Sequence, residues 1–351
     1  MNKPRIREDL TDLKPYHVPV VKARVELDKN ENPWNLPAEI LSEIEKTLQN
    51  FKFNRYPDIA TTELRRTIAS YYSLDMDNVL VGSGSNEVIL DLMLAFGGAG
   101  RVALTFEPTY SMHSIIARIS GTRVESLPLT SDFEIDVETA LSRISEIKPD
   151  VIFVCNPNNP TGNLVDGQAV EEFLKSNALV IVDEAYGEFS KESVLNLLPK
   201  SPNLAIVKTF SKAFRLASLR VGYLLANREL VGELQRVKLS YNVNAFSQMV
   251  AEIVFSKRHL LDSAVEEIIK EGERLFRELK KMSGLTAYPS RTNFILFRTE
   301  RDAGEIFDSL VKEGILLRNF SHKPGLENCL RVTVGTQQEN DNFLEALQKI
   351  I

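Results

Sequence analysis

Between residues 78 and 239, short apolar runs alternate with stretches of helical spacing, and this alternation limits the fold more than any other feature of the chain. The runs fall at 79–81, 101–105, 124–127, 151–155, 179–182, 204–208 and 221–226. Several are unbroken Val/Ile/Leu segments, the composition of strands covered on both faces. Residues 87–96, 138–147 and 167–174 repeat apolar positions about every 3.6 residues, as helices lying on such a sheet require. The pattern predicts an α/β fold whose βα units build a mostly parallel sheet flanked by helices. Beyond Asn242 the texture changes. A long charged helix over 248–281, a strand at 294–298, a helix over 303–313, strands near 315–318 and 329–334 and a last helix predict a smaller α+β unit. The expected division is an N-terminal arm over 1–27, a large domain over 28–245 and a small C-terminal domain over 246–351.

Composition narrows the function by exclusion. Forty-two Lys and Arg against 48 Asp and Glu leave a net charge of -6, so nothing global favours nucleic acid or an acidic membrane surface. The two cysteines, Cys155 and Cys329, each sit inside an apolar run, which predicts buried thiols and neither a disulfide nor a metal site. The opening MNKPRIREDL has no apolar signal core, and no run of about 18 apolar residues occurs to cross a bilayer. A cytoplasmic location is expected.

Chemistry-bearing residues gather where the predicted strands end. Thr209, Phe210, Ser211 and Lys212 close one strand, with Arg220 eight positions after Lys212. A lysine after a strand is ordinarily a solvated charge, but its neighbours here are unusual. The strand at 179–182 runs into Asp183, Glu184, Ala185 and Tyr186, putting a carboxylate and a phenol at a carboxyl edge, where ligands of open α/β sheets bind. The strand at 151–155 ends in Asn156-Pro157-Asn158-Asn159-Pro160-Thr161-Gly162, too elaborate for a plain turn. Gly82-Ser83-Gly84-Ser85-Asn86 leads directly into a helix, an arrangement that offers free amides and a helix dipole to an anion. Tyr110 follows another strand, and its ring fits core, surface or site equally well on sequence grounds.

Taken together, these parts suit one cofactor, pyridoxal 5'-phosphate (PLP), which needs a phosphate cradle, a ring to stack on, a carboxylate for its ring nitrogen, donors for its phenolic oxygen and an amine for a Schiff base. The set NPNNPTG, DEAY and TFSK with its following arginine resembles the fold type I PLP aminotransferases, over nearly the whole chain from Asn30 to Arg331. The segments 27–33 and 54–58, with the motifs NENP and YPD, are similar to the histidinol-phosphate aminotransferase group within that family. The threonine-phosphate decarboxylases and related aromatic aminotransferases share much of the pattern. A non-enzymatic PLP-binding regulator has no room before Val25 for a helix-turn-helix.

The resemblance implies that Lys212 carries the cofactor and acts as the base, that Asp183 faces the ring nitrogen, and that Asn159 and Tyr186 face the phenolic oxygen. Tyr110 would stack on the ring. Gly84, Ser85, Asn86, Thr209, Ser211 and Arg220 would hold the phosphate, with Tyr56 reaching it from the other subunit of a homodimer with shared active sites. Tyr16, Asn32, Arg318 and Arg331 would bind substrate: L-histidinol phosphate as donor and 2-oxoglutarate as acceptor, yielding imidazole acetol phosphate and glutamate in histidine biosynthesis. In the strand at 329–334, the period of two puts Arg331 and Thr333 on the face opposite Leu330, Val332 and Val334, pointing away from the core.

Overall fold

The computed structural model describes residues 4–13 and 21–351. In chain order its elements are β1 (Val25–Glu26), α1 (Ala38–Leu48), α2 (Thr62–Tyr72), β2 (Val79–Gly82), α3 (Ser85–Phe96), β3 (Val102–Glu107), α4 (Met112–Ile119), β4 (Arg123–Pro128), α5 (Val137–Ile147), β5 (Val151–Cys155), α6 (Gly167–Leu174), β6 (Leu179–Asp183), α7 (Gly187–Ser190) and β7 (Leu204–Thr209). There follow β8 (Gly222–Ala226), α8 (Arg228–Leu234), α9 (Ala245–Ser256), α10 (Asp262–Lys281), β9 (Leu285–Ala287), β10 (Phe294–Thr299), α11 (Ala303–Lys312), β11 (Ile315–Leu316), β12 (Arg318–Asn319), β13 (Cys329–Thr333) and α12 (Gln337–Ile350).

Seven strands form the large sheet in the order β2-β8-β7-β6-β5-β3-β4, and only β8 runs against its neighbours. The apolar runs of β5, β6 and β7 are buried on both faces by strict alternation. Ile152, Val154, Val180, Val182, Leu204 and Ile206 face one core, with α1, α2, α5, α6 and α9 contributing to it. Val151, Phe153, Leu179, Ile181, Ala205 and Val207 face a second core with α3, α4 and α8. Each such side chain contributes roughly 1.5–3 kcal/mol of burial, which a polar substitution would forfeit. The same alternation carries past the hydrophobic residues. Cys155, Asp183 and Thr209 continue onto the α3/α4 side, while Glu184 and Lys208 continue onto the other.

A four-stranded antiparallel sheet, β12-β13-β10-β9, and the parallel pair β1-β11 build the smaller unit. Its core combines Ile268, Leu275 and Leu279 of α10 with Phe294, Phe297, Leu330, Val332 and Phe343. The capping box of Thr336 and Glu339 starts α12, each side chain bonding the other's backbone N–H.

Three expectations need correcting. The helix expected over 248–281 is broken by a 3-10 turn at Arg258–Leu261, and α9 before the break buries Val250, Ala251, Val254 and Phe255 in the large core. The expected arm over 1–27 is not extended throughout: Glu8–Leu10 forms a 3-10 turn, and Val25 and Leu27 are buried in the smaller core because β1 pairs with β11. The strand expected near 315–318 is two short strands in different sheets, β11 and β12. Cys155 and Cys329 are free and buried, on β5 and β13.

Candidate active site

A cavity of about 630 Å³ opens at the carboxyl edge of the large sheet, closed from above by the β12-β13 face of the smaller one. It is lined by Ser85, Asn86, Tyr110, Asn159, Asp183, Tyr186, Thr209, Ser211, Lys212, Arg220, Arg318 and Arg331. A second cavity of about 640 Å³ lies at the opposite edge of the sheet, among Arg101, Lys148, Asp150 and Asn203, and none of the expected site residues lines it.

One end of the first cavity is a cradle for an anion. β2 ends at Gly82, and α3 starts at Ser85, so the free amides of a 12-residue helix face inward. Gly84 has φ +82, and a Cβ there would lie 2.7 Å from an Arg220 terminal nitrogen; one at Gly222 would lie 2.3 Å from the Ser85 amide. Only glycine admits both close approaches. Arg220 donates to Ser211 Oγ at 3.2 Å and to the Ala217 carbonyl at 3.0 Å. Glu87 fixes the turn by accepting from the Ser83 amide and from Asn242 Nδ2.

Asp183 ends β6, 2% exposed. Its Oδ1 accepts from the Ala185 amide at 3.1 Å, and its Oδ2 lies 3.0 Å from His113 Nε2. His113 is fully buried, stacks on Phe153 at 4.8 Å and meets Tyr110 edge-on at 5.4 Å. Facing an aspartate, its Nε2 carries the proton. Sequence reasoning missed His113, although its position three residues after Tyr110 puts it one helical turn from the sheet edge.

Lys212 follows β7, and its Nζ donates to the Lys29 carbonyl at 2.9 Å. Burial first, then the Arg331 guanidinium, then Arg220 pull this amine down to about 7, with Glu31 opposing. Tyr186 accepts from Asn30 Nδ2 at 2.8 Å and from Asn159 Nδ2 at 3.5 Å, leaving its own O–H free to point at an acceptor. Burial pushes this phenol up to about 12, so it stays protonated.

Asn30 ties the two sheets together, and the motif reading gave it no role. With φ +56, a conformation asparagine tolerates, it donates its backbone N–H to Thr333 Oγ1 at 3.0 Å and its carbonyl accepts from Asn293 Nδ2 at 3.0 Å. Its Oδ1 accepts from Thr333 Oγ1 at 3.2 Å.

Arg331 does turn away from the small core, as strand alternation requires, yet it is only 5% exposed. The large sheet and Phe320 cover that face. Its guanidinium donates to Asn159 Oδ1 at 2.6 Å and the Asp28 carbonyl at 2.7 Å, and lies over the rings of Phe294 and Phe320. Arg318 is its cross-strand partner in register. Two expected residues lie elsewhere. Asn32 is not among the residues lining the cavity, and its Oδ1 accepts from the Trp34 amide at 3.2 Å. Tyr56 is 81% exposed and stacks on Tyr241 outside this chain's cavity. Tyr16 lies outside the described residues.

The arrangement fits the cofactor that the sequence suggested. Cradle, buried carboxylate, phenol with a free proton, aromatic face and low-pKa amine lie around one cavity, and Gly84 and Gly222 let Arg220 and the Ser85 amide close up around the cradle. Comparison with known proteins agrees. The family described as aminotransferase class I and II matches residues 22–347. Histidinol-phosphate aminotransferase 1 of Carboxydothermus hydrogenoformans is 40% identical, with 100% of both chains covered. The crystal structure of the histidinol-phosphate aminotransferase from Clostridium acetobutylicum superposes with a TM-score of 0.86 at 27% identity, covering 93% of this chain and 98% of that one. The enzyme of Sinorhizobium meliloti, solved in complex with pyridoxal-5'-phosphate, shares the fold at a TM-score of 0.85 and 22% identity, over 94% and 91% of the two chains. With a family match over residues 22–347 and a relative 40% identical over its full length, this chain belongs to the class I and II aminotransferases.

Proposed function

We propose that the chain is a PLP-dependent aminotransferase that moves the amino group between L-histidinol phosphate and 2-oxoglutarate, giving imidazole acetol phosphate and L-glutamate. One observation carries the substrate assignment: the cavity has two separate cationic ends. Arg220 and the α3 amides form one, suited to the cofactor phosphate, while Arg318 and Arg331, cross-strand neighbours on β12 and β13, line the cavity across from it. With the cofactor phosphate at the first, a donor that carries its own phosphate would use the second.

Gly84, Ser85, Asn86, Thr209, Ser211 and Arg220 would hold the cofactor phosphate, and Tyr110 its ring face. Bound there, the cofactor supplies a conjugated ring that takes up the electron pair left when the substrate carbon loses its proton. Asp183, oriented by His113 and the Ala185 amide, would set its carboxylate against the ring nitrogen. A pair of unit charges about 4 Å apart at an effective dielectric of about 20 is worth roughly 4 kcal/mol, enough to keep that nitrogen protonated at neutral pH. Tyr186 and Asn159 direct donors at the phenolic oxygen. Lys212 Nζ, lowered to about 7, would hold the cofactor covalently until the donor's amino group displaces it, and the freed amine would then take up the proton from the donor carbon. Arg331 orients the donor's anionic group, and the acceptor's carboxylate takes the same place in the second half of the cycle.

The functional unit in this reading is a cytoplasmic homodimer with no nucleic-acid or membrane partner, in which Tyr56 reaches the neighbouring subunit's cofactor phosphate. The exposed Phe53, Tyr56, Ile59, Leu239 and Tyr241 supply an apolar surface for that contact. Among the described residues no helix is long and apolar enough to cross a membrane. The assay is direct: purified protein with PLP, 2-oxoglutarate and histidinol phosphate should produce glutamate. A purified holoenzyme that makes glutamate from other amines but none from histidinol phosphate would overturn the donor assignment.

A further inference from the structure

The turn between β12 and β13 brings two more basic side chains to the donor end of the cavity, His322 and Lys323, which the chemistry above does not use. This turn is held at many points. The Lys323 amide donates to the Phe320 carbonyl at 2.9 Å, the Leu326 amide to the Lys323 carbonyl at 3.0 Å, and the Phe320 amide to the Cys329 carbonyl at 3.0 Å. Asn319 Oδ1 accepts from both the amide and the hydroxyl of Ser321, at 2.8 and 2.7 Å. Arg298 clamps the far side by donating to the Glu327 carbonyl at 2.7 Å and the Gly325 carbonyl at 3.1 Å. The two basic groups are therefore presented on a fixed frame.

Phe320 lies between the turn and Arg331. Lys323 Nζ lies 5.8 Å from the Phe320 ring centre and the Arg331 guanidinium 5.3 Å from the same centre, so both cations border one aromatic ring. Arg318 stands beside Arg331 in the strand register. Arg318 acts on both side chains of the turn. His322 is pulled below its ordinary value by burial, Lys323 and Arg318, and Lys323 by burial and Arg318, with Glu107 working the other way on Lys323. Like charges crowded into one end of a partly desolvated cavity are relieved by an anion.

The chemistry of the two substrates says which anion. In 2-oxoglutarate the α-carboxylate is bonded directly to the reacting carbon, close to Lys212, where Arg331 is the adjacent cation. In a phosphorylated amino alcohol the phosphorus is three bonds from that carbon, behind a methylene and an ester oxygen, and carries more charge on three terminal oxygens. Its outer oxygens extend beyond Arg331. We propose that Lys323 and His322, with Arg318, form a second layer of the donor site that receives the outer oxygens of the donor phosphate, so that the enzyme separates a phosphorylated donor from a carboxylate held by Arg331 alone. This deepens the histidinol-phosphate reading and rests on it.

The test uses holoenzyme, whose cofactor-phosphate cradle is filled, so that inorganic phosphate reports on the donor site. Titration calorimetry of Lys323→Met and His322→Asn beside the unaltered holoenzyme should show phosphate binding that competes with the donor, weakened about tenfold in Lys323→Met and by a smaller factor in His322→Asn. The ratio of kcat/KM for histidinol phosphate over unphosphorylated histidinol should fall by about the same factors, and KM for 2-oxoglutarate should change less. The cofactor absorption band should match the unaltered protein, which shows that the fold and cradle are intact. The proposal is overturned if the unaltered holoenzyme binds no phosphate, if Lys323→Met binds it equally well, or if 2-oxoglutarate suffers the same loss as the phosphorylated donor. Should the holoenzyme ignore histidinol phosphate yet bind phosphate through Lys323, the donor assignment fails while the anion layer stands, serving another phosphorylated amine.

Discussion

Replacing Arg331 with glutamine isolates the electrostatic control of Lys212. The amine is lowered from 10.5 to about 7, by burial first and Arg331 second. At about 1.36 kcal/mol per unit the shift corresponds to on the order of 5 kcal/mol between charged and neutral amine, less what cavity water screens. The consequence is large: about half the amines are neutral at pH 7, against about one in three thousand for an unshifted lysine. Protein stripped of cofactor should therefore attach PLP, trapped by borohydride and mapped by peptide mass spectrometry to Lys212, at a rate that rises through a midpoint near pH 7. Arg331→Gln removes the second cause and leaves the first, so its midpoint should move to higher pH while staying below the ordinary lysine range. Stability follows the same proton. The unfolded chain holds it up to about pH 10.5 and the folded chain only to about 7, so this group makes the stripped protein more stable as pH rises between those values. A native midpoint near 10, an unmoved midpoint in Arg331→Gln, or label on a different lysine would each refute the reasoning.

Other outcomes test the remaining parts. Asp183→Asn should cost about three decades in kcat, and His113→Phe, which keeps the ring on Phe153 but loses the bond to Asp183, about one to two decades; wild-type turnover in His113→Phe would show that bond to be idle. Lys208→Met strands Glu184 and Glu188, whose carboxylates each lie 3.1 Å from the lysine in the interior, and urea unfolding should register a loss of about 3–5 kcal/mol. Inactive Tyr56→Phe and Lys212→Ala chains, mixed under subunit exchange, should recover activity in heterodimers with one intact site; heterodimers that form and stay inactive would end the shared-site reading.

Much of the cofactor end was legible because its residues are consecutive at strand ends. Asp183 and Tyr186, Thr209 to Lys212 and the Gly84–Asn86 turn each lie within a few positions of a run of Val, Ile and Leu, so finding the strands found the site. The donor end was legible only in part. Alternation gave the direction of Arg331 correctly, but what covers that face, the large sheet and Phe320, comes from residues more than a hundred positions away or across a turn, and no local pattern reports it. His113 was hidden for a similar reason: a histidine on an apolar helix face reads as core until a carboxylate is found opposite. The break at Arg258–Leu261 was hidden because the charged texture runs through it on both sides, and only the packing of Phe255 into the large core marks where one helix ends.

Alternation also explains how adjacent residues serve different ends. On β6, Asp183 faces the cavity and Glu184 the opposite core, where it accepts from Ser193 and the Val194 amide and pairs with Lys208. On β7, Thr209 faces the cavity and Lys208 turns to meet Glu184. The ion cluster beneath the sheet thus joins the two strand ends that present Asp183 and Thr209 above it, from a position no ligand reaches. On β13 the division is repeated, with Leu330 and Val332 in the small core and Arg331 and Thr333 over the cavity. Thr333 holds Asn30, Asn30 holds the Tyr186 hydroxyl, and Arg331 holds Asn159. Tyr186 and Asn159, which the proposed reading aims at the phenolic oxygen of the cofactor, are therefore both set by the smaller sheet. In the proposed reading, a donor anion that draws Arg331 toward itself would act on Asn159 through one hydrogen bond, and substrate recognition and the electronic setting of the cofactor would share a single chain of contacts.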